Sequence, residues 1–281
     1  MPDYMFATFA VLYSNSAQYL PKIFYKINQT SRISFRTYSI EDDMDTFLAN
    51  IFIHRVIIVG SEAVDLFGEK IANNSELLEK FIKLGGVVIV LGAANINLTW
   101  LPYHAESISL AKPQESTHLL GIHPLFSRPN TISRLAYNGY FTNYDKNFSI
   151  LATESSGYPI ALVAYYYSGK ILIMTASPDI NGRCDFVENL LLWSILPRLS
   201  IQEIKVLSIP IFKDQHVKLE VRVSEYFHNR SITNGIVAAW IENFEDYEFG
   251  SHIGNGTYIV TASVSKVSSG KFMVTILATA E

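Results

Sequence analysis

The position where an α/β enzyme would carry its nucleophile holds only small apolar residues. Residues 85–95 (GGVVIVLGAAN) predict a buried strand followed by a sharp turn. Amidotransferase-like chemistry needs a Cys on such a strand-to-helix turn, with a His and an acid to activate it. The turn holds Gly92, Ala93 and Ala94 instead. We therefore expect no catalytic residue there, and a domain that works as a scaffold rather than as an enzyme.

Three other residues have types suited to catalysis or metal binding. Asp179 follows the predicted strand 170–177 at its carboxyl end, where open α/β sheets bind ligands, but no His stands beside it. His118 and His123 could share a zinc ion, yet no Cys, Asp or Glu at ligand spacing completes the set. We expect a turn or helix-cap role for Asp179 and a solvent-exposed loop for the two His. A hydrolase that uses Asp179 or His123 remains a minor alternative.

No motif predicts a cofactor or a metal. The turn after the first strand lacks the glycines of phosphate-binding loops, and no P-loop is present. The acidic group at positions 41–43 and 45 is expected to open a helix, where carboxylates complement the helix dipole. A metal site made from this group is the alternative, although consecutive residues on a helix point in different directions. A net charge of −4 and a pI near 6.0 provide no basic surface for nucleic acid.

An aromatic group falls in an irregular stretch and could form a binding surface. Exposed aromatic rings stack on sugars or anchor protein partners, whereas ordinary core packing is the alternative explanation. Asp179, at the carboxyl edge of the sheet, could belong to the same surface. The aromatic residues are Tyr137, Tyr140, Phe141 and Tyr144.

Several features bear on the compartment. Six positions match Asn-x-Ser/Thr, where chance predicts about two or three, which favours an extracytoplasmic chain; an Asn- and Ser-rich composition is the alternative explanation. The mean hydropathy of +0.18 is high, which indicates either a large core or a surface that meets a partner or a membrane. No apolar run reaches the ~20 residues of a membrane span, and the N-terminus lacks a basic region, so any signal or anchor is expected outside this sequence. The six positions are Asn28, Asn73, Asn97, Asn147, Asn229 and Asn255.

Hydrophobic patterns predict an α/β domain over residues 1–198. Near-continuous apolar runs such as 55–61 (RVIIVGS) alternate with amphipathic helices such as 75–84, which is typical of a doubly wound parallel sheet of flavodoxin-like or amidotransferase-like type. Residues 95–150 lose this rhythm and are expected to form a long loop or insertion with short strands. Residues 158–167 and 170–177 are expected to form two strands joined by a tight turn.

The period changes after residue 198. Residues 217–225 (VKLEVRVSE) alternate strictly, and 235–244, 257–265 and 271–279 are further predicted strands without helices. This pattern predicts a small all-β immunoglobulin-like sandwich over residues 199–281, although the Cys…Trp…Cys pattern of antibody domains is missing. The lone Cys184 excludes an intrachain disulfide.

Three segments of the first domain resemble GIFT domains, an amidotransferase-like group in which the fold persists without the catalytic Cys. These segments are 55–71 (RVIIVGSEAVDLFGEKI), 81–96 (FIKLGGVVIVLGAANI) and 170–180 (KILIMTASPDI), the last followed by a helix that ends in LLLWSI. With the sandwich added, the chain resembles the lumenal part of the forty-eight-kilodalton, non-catalytic subunit of oligosaccharyltransferase. Residues 64–68 (VDLFG), 256–258 (GTY) and 270–272 (GKF) carry this second resemblance.

The resemblance implies a structural role and no catalytic residue. It predicts an accessory subunit that supports a membrane-embedded partner, with oligosaccharyltransferase-like N-glycosylation as the process and the extracytoplasmic or ER-lumen-like side of a membrane as the place. A glycan- or peptide-binding module that uses the loops at the carboxyl edge of the sheet is the alternative function. The chain departs from that group by a shorter middle of the first domain and by lacking a membrane anchor within this sequence.

Overall fold

A computed structural model describes residues 8–16, 19–31, 33–121, 123–176, 184–196, 199–208, 216–225, 232, 235–241, 248–263 and 274–280. The chain divides into two compact units, Met1–Ile195 and Leu196–Glu281. No helix in these ranges is long and apolar enough to cross a membrane.

The first unit is built on a mixed seven-stranded sheet. Its strand order is β2-β1-β3-β4-β9-β8-β7; neighbours from β2 to β9 run parallel, and β8 and β7 run antiparallel. The strands β5 and β6 form a separate two-stranded antiparallel ribbon. The elements are β1 Thr8–Tyr13, α1 Tyr19–Ser31, β2 Ser34–Ser39, α2 Met44–Ala49, β3 Val56–Val59, α3 Val64–Ile71, α4 Ser75–Lys83, β4 Val87–Val90, β5 Ala105–Ser116, α5 Pro124–Ser127, β6 Leu135–Tyr144, β7 Ser149–Thr153, β8 Pro159–Tyr166, β9 Gly169–Met174 and α6 Cys184–Ile195. Short 3-10 turns precede and follow α3.

Both faces of the central strands are buried. In β3, Ile57 and Val59 join a core cluster with α2, α3 and α4, while Val56 and Ile58 point to the opposite face and are equally buried. Helices α1 and α6 contact each other, and their buried residues lie outside that cluster. Because side chains alternate along a strand, the continuous apolar runs reflect burial on both sides.

Two expectations for the first unit need correction. The sheet is not wholly parallel, because the predicted tight turn, confirmed at residues 167–168, returns β9 antiparallel to β8. The stretch 95–150 is not mainly loop, because it contains the long strands β5 and β6. Pro113 lies inside β5, where the pairing register shifts between Ser109 and Gln114, and this irregularity hides the alternation from sequence patterns.

The second unit contains strands and no helix among its described residues. A four-stranded sheet has the order β10-β11-β15-β14, and a three-stranded sheet has the order β13-β12-β16. The predicted alternation of residues 217–225 is confirmed for its inward face, since Val217, Leu219, Val221 and Val223 are all buried, but Ser224, expected to face outward, is buried too. These side chains share a core cluster with β12 and β15. The strands are β10 Leu199–Ser208, β11 His216–Glu225, β12 Gly235–Ile241, β13 Glu248–Phe249, β14 Ser251–Gly254, β15 Thr257–Ser263 and β16 Val274–Ala280.

Candidate functional site

The turn Gly92–Ala94 follows β4 at the carboxyl edge of the sheet, and all three of its N–H groups are used internally. Gly92 has a φ of 65°, which favours glycine. Its N–H donates to the Ala176 carbonyl at 2.9 Å, and the Ala93 N–H donates to the Met174 carbonyl at 2.7 Å. The Ala94 N–H donates to the Gly92 carbonyl at 2.8 Å. No backbone donor of this turn remains for an oxyanion, which such chemistry requires.

The β5–β6 ribbon covers the same turn. The Ser107 hydroxyl on β5 donates to the Ala93 carbonyl at 2.5 Å and accepts from the Ile96 N–H at 3.2 Å. On β6, a Cβ added at Gly139 would lie 2.9 Å from the Ala94 Cβ and 2.1 Å from the Ile108 carbonyl oxygen. Only a residue without a side chain permits this approach. Ser107 and Gly139 therefore bring the ribbon against the Gly92–Ala94 turn, which in an enzyme would face the substrate.

The predicted aromatic surface is only partly accessible. Tyr137 and Phe141 are 2% and 1% exposed, because they point inward from β6. Tyr144 is half-buried against the core cluster. Tyr140 stacks on Tyr158, with ring centroids 4.7 Å apart and planes inclined by 23°. The expected group of four exposed rings is thus reduced to Tyr140 and Tyr144, and Asp179 lies outside the described residues.

His123 is buried, contrary to the expected solvent-exposed loop. It is 3% exposed, and its Nδ1 accepts the Leu125 N–H at the start of α5, which places the imidazole proton on Nε2. Burial, followed by the charge of Lys170, lowers the pKa of His123 to about 3. The described residues contain no group of three His, Cys, Asp or Glu side chains placed to hold a metal ion. His123 is therefore a neutral helix-capping residue.

Residues 41–43 of the acidic group precede α2, and Glu41 joins two loops at the carboxyl edge of the sheet. Glu41 accepts hydrogen bonds from the Ser14 hydroxyl at 2.5 Å and from the Asn15 N–H at 3.1 Å. Two effects oppose each other at Glu41. Burial alone would raise its pKa, but the hydrogen bonds that the carboxylate accepts from Ser14, from backbone N–H groups and from Ser39 outweigh burial, so the pKa lies below its usual value. The expected helix-opening position is observed, because Asp43 lies at the N-terminal boundary of α2 and Asp45 lies in its first turn, although the Asp43 carboxylate accepts from the Ser39 N–H and caps no N–H of α2.

A polar groove of about 480 Å³, missed by the sequence analysis, runs between α3 and the segment 95–100 that follows β4. Asp65 and Glu69 lie one helical turn apart on α3 and both line this groove. Trp100 also lines it, with its ring 5.1 Å from that of Phe67. The i,i+4 carboxylates were visible in the sequence, but the segment that faces them was not.

The Asn-x-Ser/Thr positions differ in accessibility. The described ones lie in the first unit except Asn255, which occupies the turn between β14 and β15. Asn28 lies on α1 and is half-buried, and Asn97 lines the groove described above. Asn229 lies outside the described residues. The exposed ones are Asn73, Asn97, Asn147 and Asn255.

Comparison with known proteins identifies no family. No protein family model and no curated protein matches the sequence. Among solved structures, the β-galactosidase from Bacillus circulans sp. alkalophilus matches 90% of this chain at 13% identity and a TM-score of 0.43. A cytoplasmic protein from Salmonella typhimurium matches 67% of this chain, and 98% of its own, at 12% identity and a TM-score of 0.46.

A third similar structure, the β-galactosidase from the Antarctic haloarchaeon Halorubrum lacusprofundi, matches 83% of this chain at 10% identity and a TM-score of 0.38. The chain spans 41% of the length of the Bacillus enzyme and 35% of the length of the haloarchaeal one. Similarities at these TM-scores do not support any statement about the fold or activity of this protein.

Proposed function

We propose that the protein is a non-catalytic scaffold whose first unit is an amidotransferase-like, GIFT-like domain. The closed Gly92–Ala94 turn carries this proposal, since its N–H groups are occupied and the β5–β6 ribbon lies against it. The strand order β2-β1-β3-β4 is that of flavodoxin-like sheets, which supports the doubly wound, flavodoxin-like assignment. The two antiparallel sheets around one core support an immunoglobulin-like sandwich for the second unit.

A protein partner is the second part of this proposal. Strand β10 is an edge strand of its sheet, and it exposes Ile204, Val206 and Leu207 by 49%, 57% and 48%. Apolar side chains on a sheet edge favour association with another chain. We propose an accessory subunit of an extracytoplasmic or membrane-associated complex of the oligosaccharyltransferase type. The exposed sequons at Asn73 and Asn147 are compatible with that location.

Affinity purification of the full chain from detergent-solubilised membranes of the source cells tests the proposal. We expect a stoichiometric membrane-protein partner with the wild type and its loss with Val206→Glu, because a buried unpaired carboxylate opposes association. Thr142→Glu is the matched control, since it adds the same charge at an exposed position of β6. Recovery of no membrane protein, or equal recovery with both variants, would contradict the proposal.

Catalysis is tested separately with the same purified protein. Glutamine hydrolysis should stay at the level of the buffer alone, because the Gly92–Ala94 turn has neither a nucleophile nor a vacant N–H donor. Glutamine turnover that Ser107→Ala abolishes would instead identify an enzyme that uses the hydroxyl bonded to the Ala93 carbonyl.

A further inference from the structure

The groove between α3 and segment 95–100 contains hydrogen-bonding groups that the described protein leaves unused. Asp65 and Glu69 are exposed on α3, and neither has a hydrogen bond or ion pair with any other described residue. Asn95 lines the opposite side in a left-handed conformation, with a φ of 60°, and its amide also lacks a described partner. Two carboxylates and one amide therefore converge on the same space.

Trp100 adds a donor at the floor of the groove. The residue is 8% exposed, and its ring is held edge-to-face against Phe67. Its Nε1 lies beside Gly68, where an added Cβ would be only 2.8 Å away, so the glycine makes room for the indole. The Nε1–H has no acceptor among the described residues. The indole nitrogen is not among the fully buried unpartnered atoms of the described residues, so it keeps access to the groove, where a ligand oxygen can accept its hydrogen bond.

These groups select a ligand that both donates and accepts hydrogen bonds. The carboxylates of Asp65 and Glu69 require donors, whereas the Trp100 N–H requires an acceptor. An anion would be repelled by the carboxylates, and a simple cation would leave the indole without an acceptor. Hydroxyl groups meet both needs. Ile96, which is half-buried, supplies apolar surface beside them, suited to the C–H face of a sugar ring.

We propose that this groove is a binding site for a neutral carbohydrate of one or two sugar units. Its volume, about 480 Å³, falls in the range of small-ligand sites, roughly 300–1,000 Å³. It is formed by segments that follow β3 and β4, two neighbouring parallel strands, at the edge where open α/β sheets bind ligands. This site is independent of the scaffold role and of the β10 surface.

Nuclear magnetic resonance of the indole N–H groups tests the site directly. The full chain, labelled with nitrogen-15 and produced in bacteria so that Asn97 carries no glycan, has three tryptophans, and Trp100→Phe identifies the Trp100 signal. The probes are cellobiose, lactose and di-N-acetylchitobiose, with tri-lysine as a cationic probe. We expect at least one saccharide to shift the Trp100 signal saturably and to leave the signals of Trp193 and Trp240 in place.

Two variants connect the shift to the carboxylates. Asp65→Asn and Glu69→Gln keep the side-chain shape, and each should raise the saccharide dissociation constant about tenfold, the loss of one charge-assisted hydrogen bond. Asp45→Asn, an exposed change on α2 away from the groove, should leave the constant unchanged. The proposal is overturned if no saccharide moves the Trp100 signal, if only tri-lysine moves it, or if Asp45→Asn weakens binding as much as Asp65→Asn does.

Discussion

Replacing Gly139 with alanine tests the contact that closes the Gly92–Ala94 turn. The new Cβ would lie 2.1 Å from the Ile108 carbonyl oxygen and 2.9 Å from the Ala94 Cβ. Backbone, and not a flexible side chain, provides the first of these contacts, so the β5 backbone would have to retreat by about 1 Å from Gly139. This movement would also disturb the hydrogen bond from the Thr175 hydroxyl to the Gly139 carbonyl, now 2.6 Å long.

The expected cost combines strain with the weakened hydrogen bond. Overpacking of a closely packed site costs about 1–3 kcal/mol, and a lost hydrogen bond costs about 1 kcal/mol. The free energy of unfolding of the first unit should therefore fall by about 2–4 kcal/mol. For a unit of this size, that decrease lowers the Tm by roughly 4–16 °C.

Urea denaturation, followed by circular dichroism and by hydrogen exchange of the Gly92 and Ala93 amides, measures the effect. Gly121→Ala is the matched control, because its Cβ would meet no atom within 4 Å, and its stability should stay within about 0.5 kcal/mol of the wild type. The reasoning is refuted if Gly139→Ala is as stable as Gly121→Ala, or if protection of the two amides is unchanged.

Three further changes have defined outcomes. Because burial and the Lys170 charge lower the pKa of His123 to about 3, its contribution to stability is complete above about pH 6.5 and falls as the pH drops toward 3. His123→Asn keeps a capping acceptor but removes this titration. Urea denaturation between pH 6.5 and 5 should show that the free energy of unfolding depends less steeply on pH in the variant, by up to about 1.4 kcal/mol per pH unit, and the pH dependence that is left comes from His54. An unchanged pH dependence would contradict the assignment. Asn189→Leu removes a fully buried amide that bonds to the backbone of residues 125 and 130. Thermal melting should show that the free energy of unfolding falls by at least about 2 kcal/mol. An unchanged Tm would show that these hydrogen bonds contribute nothing to stability. Tyr258→Phe removes a hydroxyl that donates to the Ile232 carbonyl and accepts the Gly235 N–H. Hydrogen exchange should report that the stability of the second unit alone falls by about 1–2 kcal/mol. Equal decreases in both units would argue against a local role.

The central strands could be predicted because burial on both faces leaves a continuous apolar run. Residues 56–59 and 87–90 are such runs, and both are fully buried. The ribbon was not predicted as two long strands, because the Pro113 irregularity breaks its alternation and its inward side chains meet residues distant in sequence. A pattern read from neighbouring residues in the sequence cannot reveal contacts with residues that are distant in the chain.

For the Gly92–Ala94 turn, the sequence predicted only that a nucleophile is missing. The residue types of the Gly92–Ala94 turn exclude a nucleophile, but its coverage depends on Ser107 and Gly139, which only the folded chain brings near. His123 was expected in an exposed loop because residues 95–150 lose the periodicity of helices and strands. Its burial follows from packing, with the imidazole 6.0 Å from the Trp193 ring.

The parallel pairing of β4 with β9 has a consequence for the order of folding. Val87 pairs with Lys170, and the whole of β5 to β8 lies between them in sequence. Closing a loop of that length loses chain entropy before any contact compensates it, so such pairings form late and slow the folding of a domain. The ribbon hydrogen-bonds to both sides of this junction, through Ser107 to the Ala93 carbonyl and through Gly139 to Thr175. We expect β1 to β4 to assemble first, and the ribbon to dock in the same late step that adds β9.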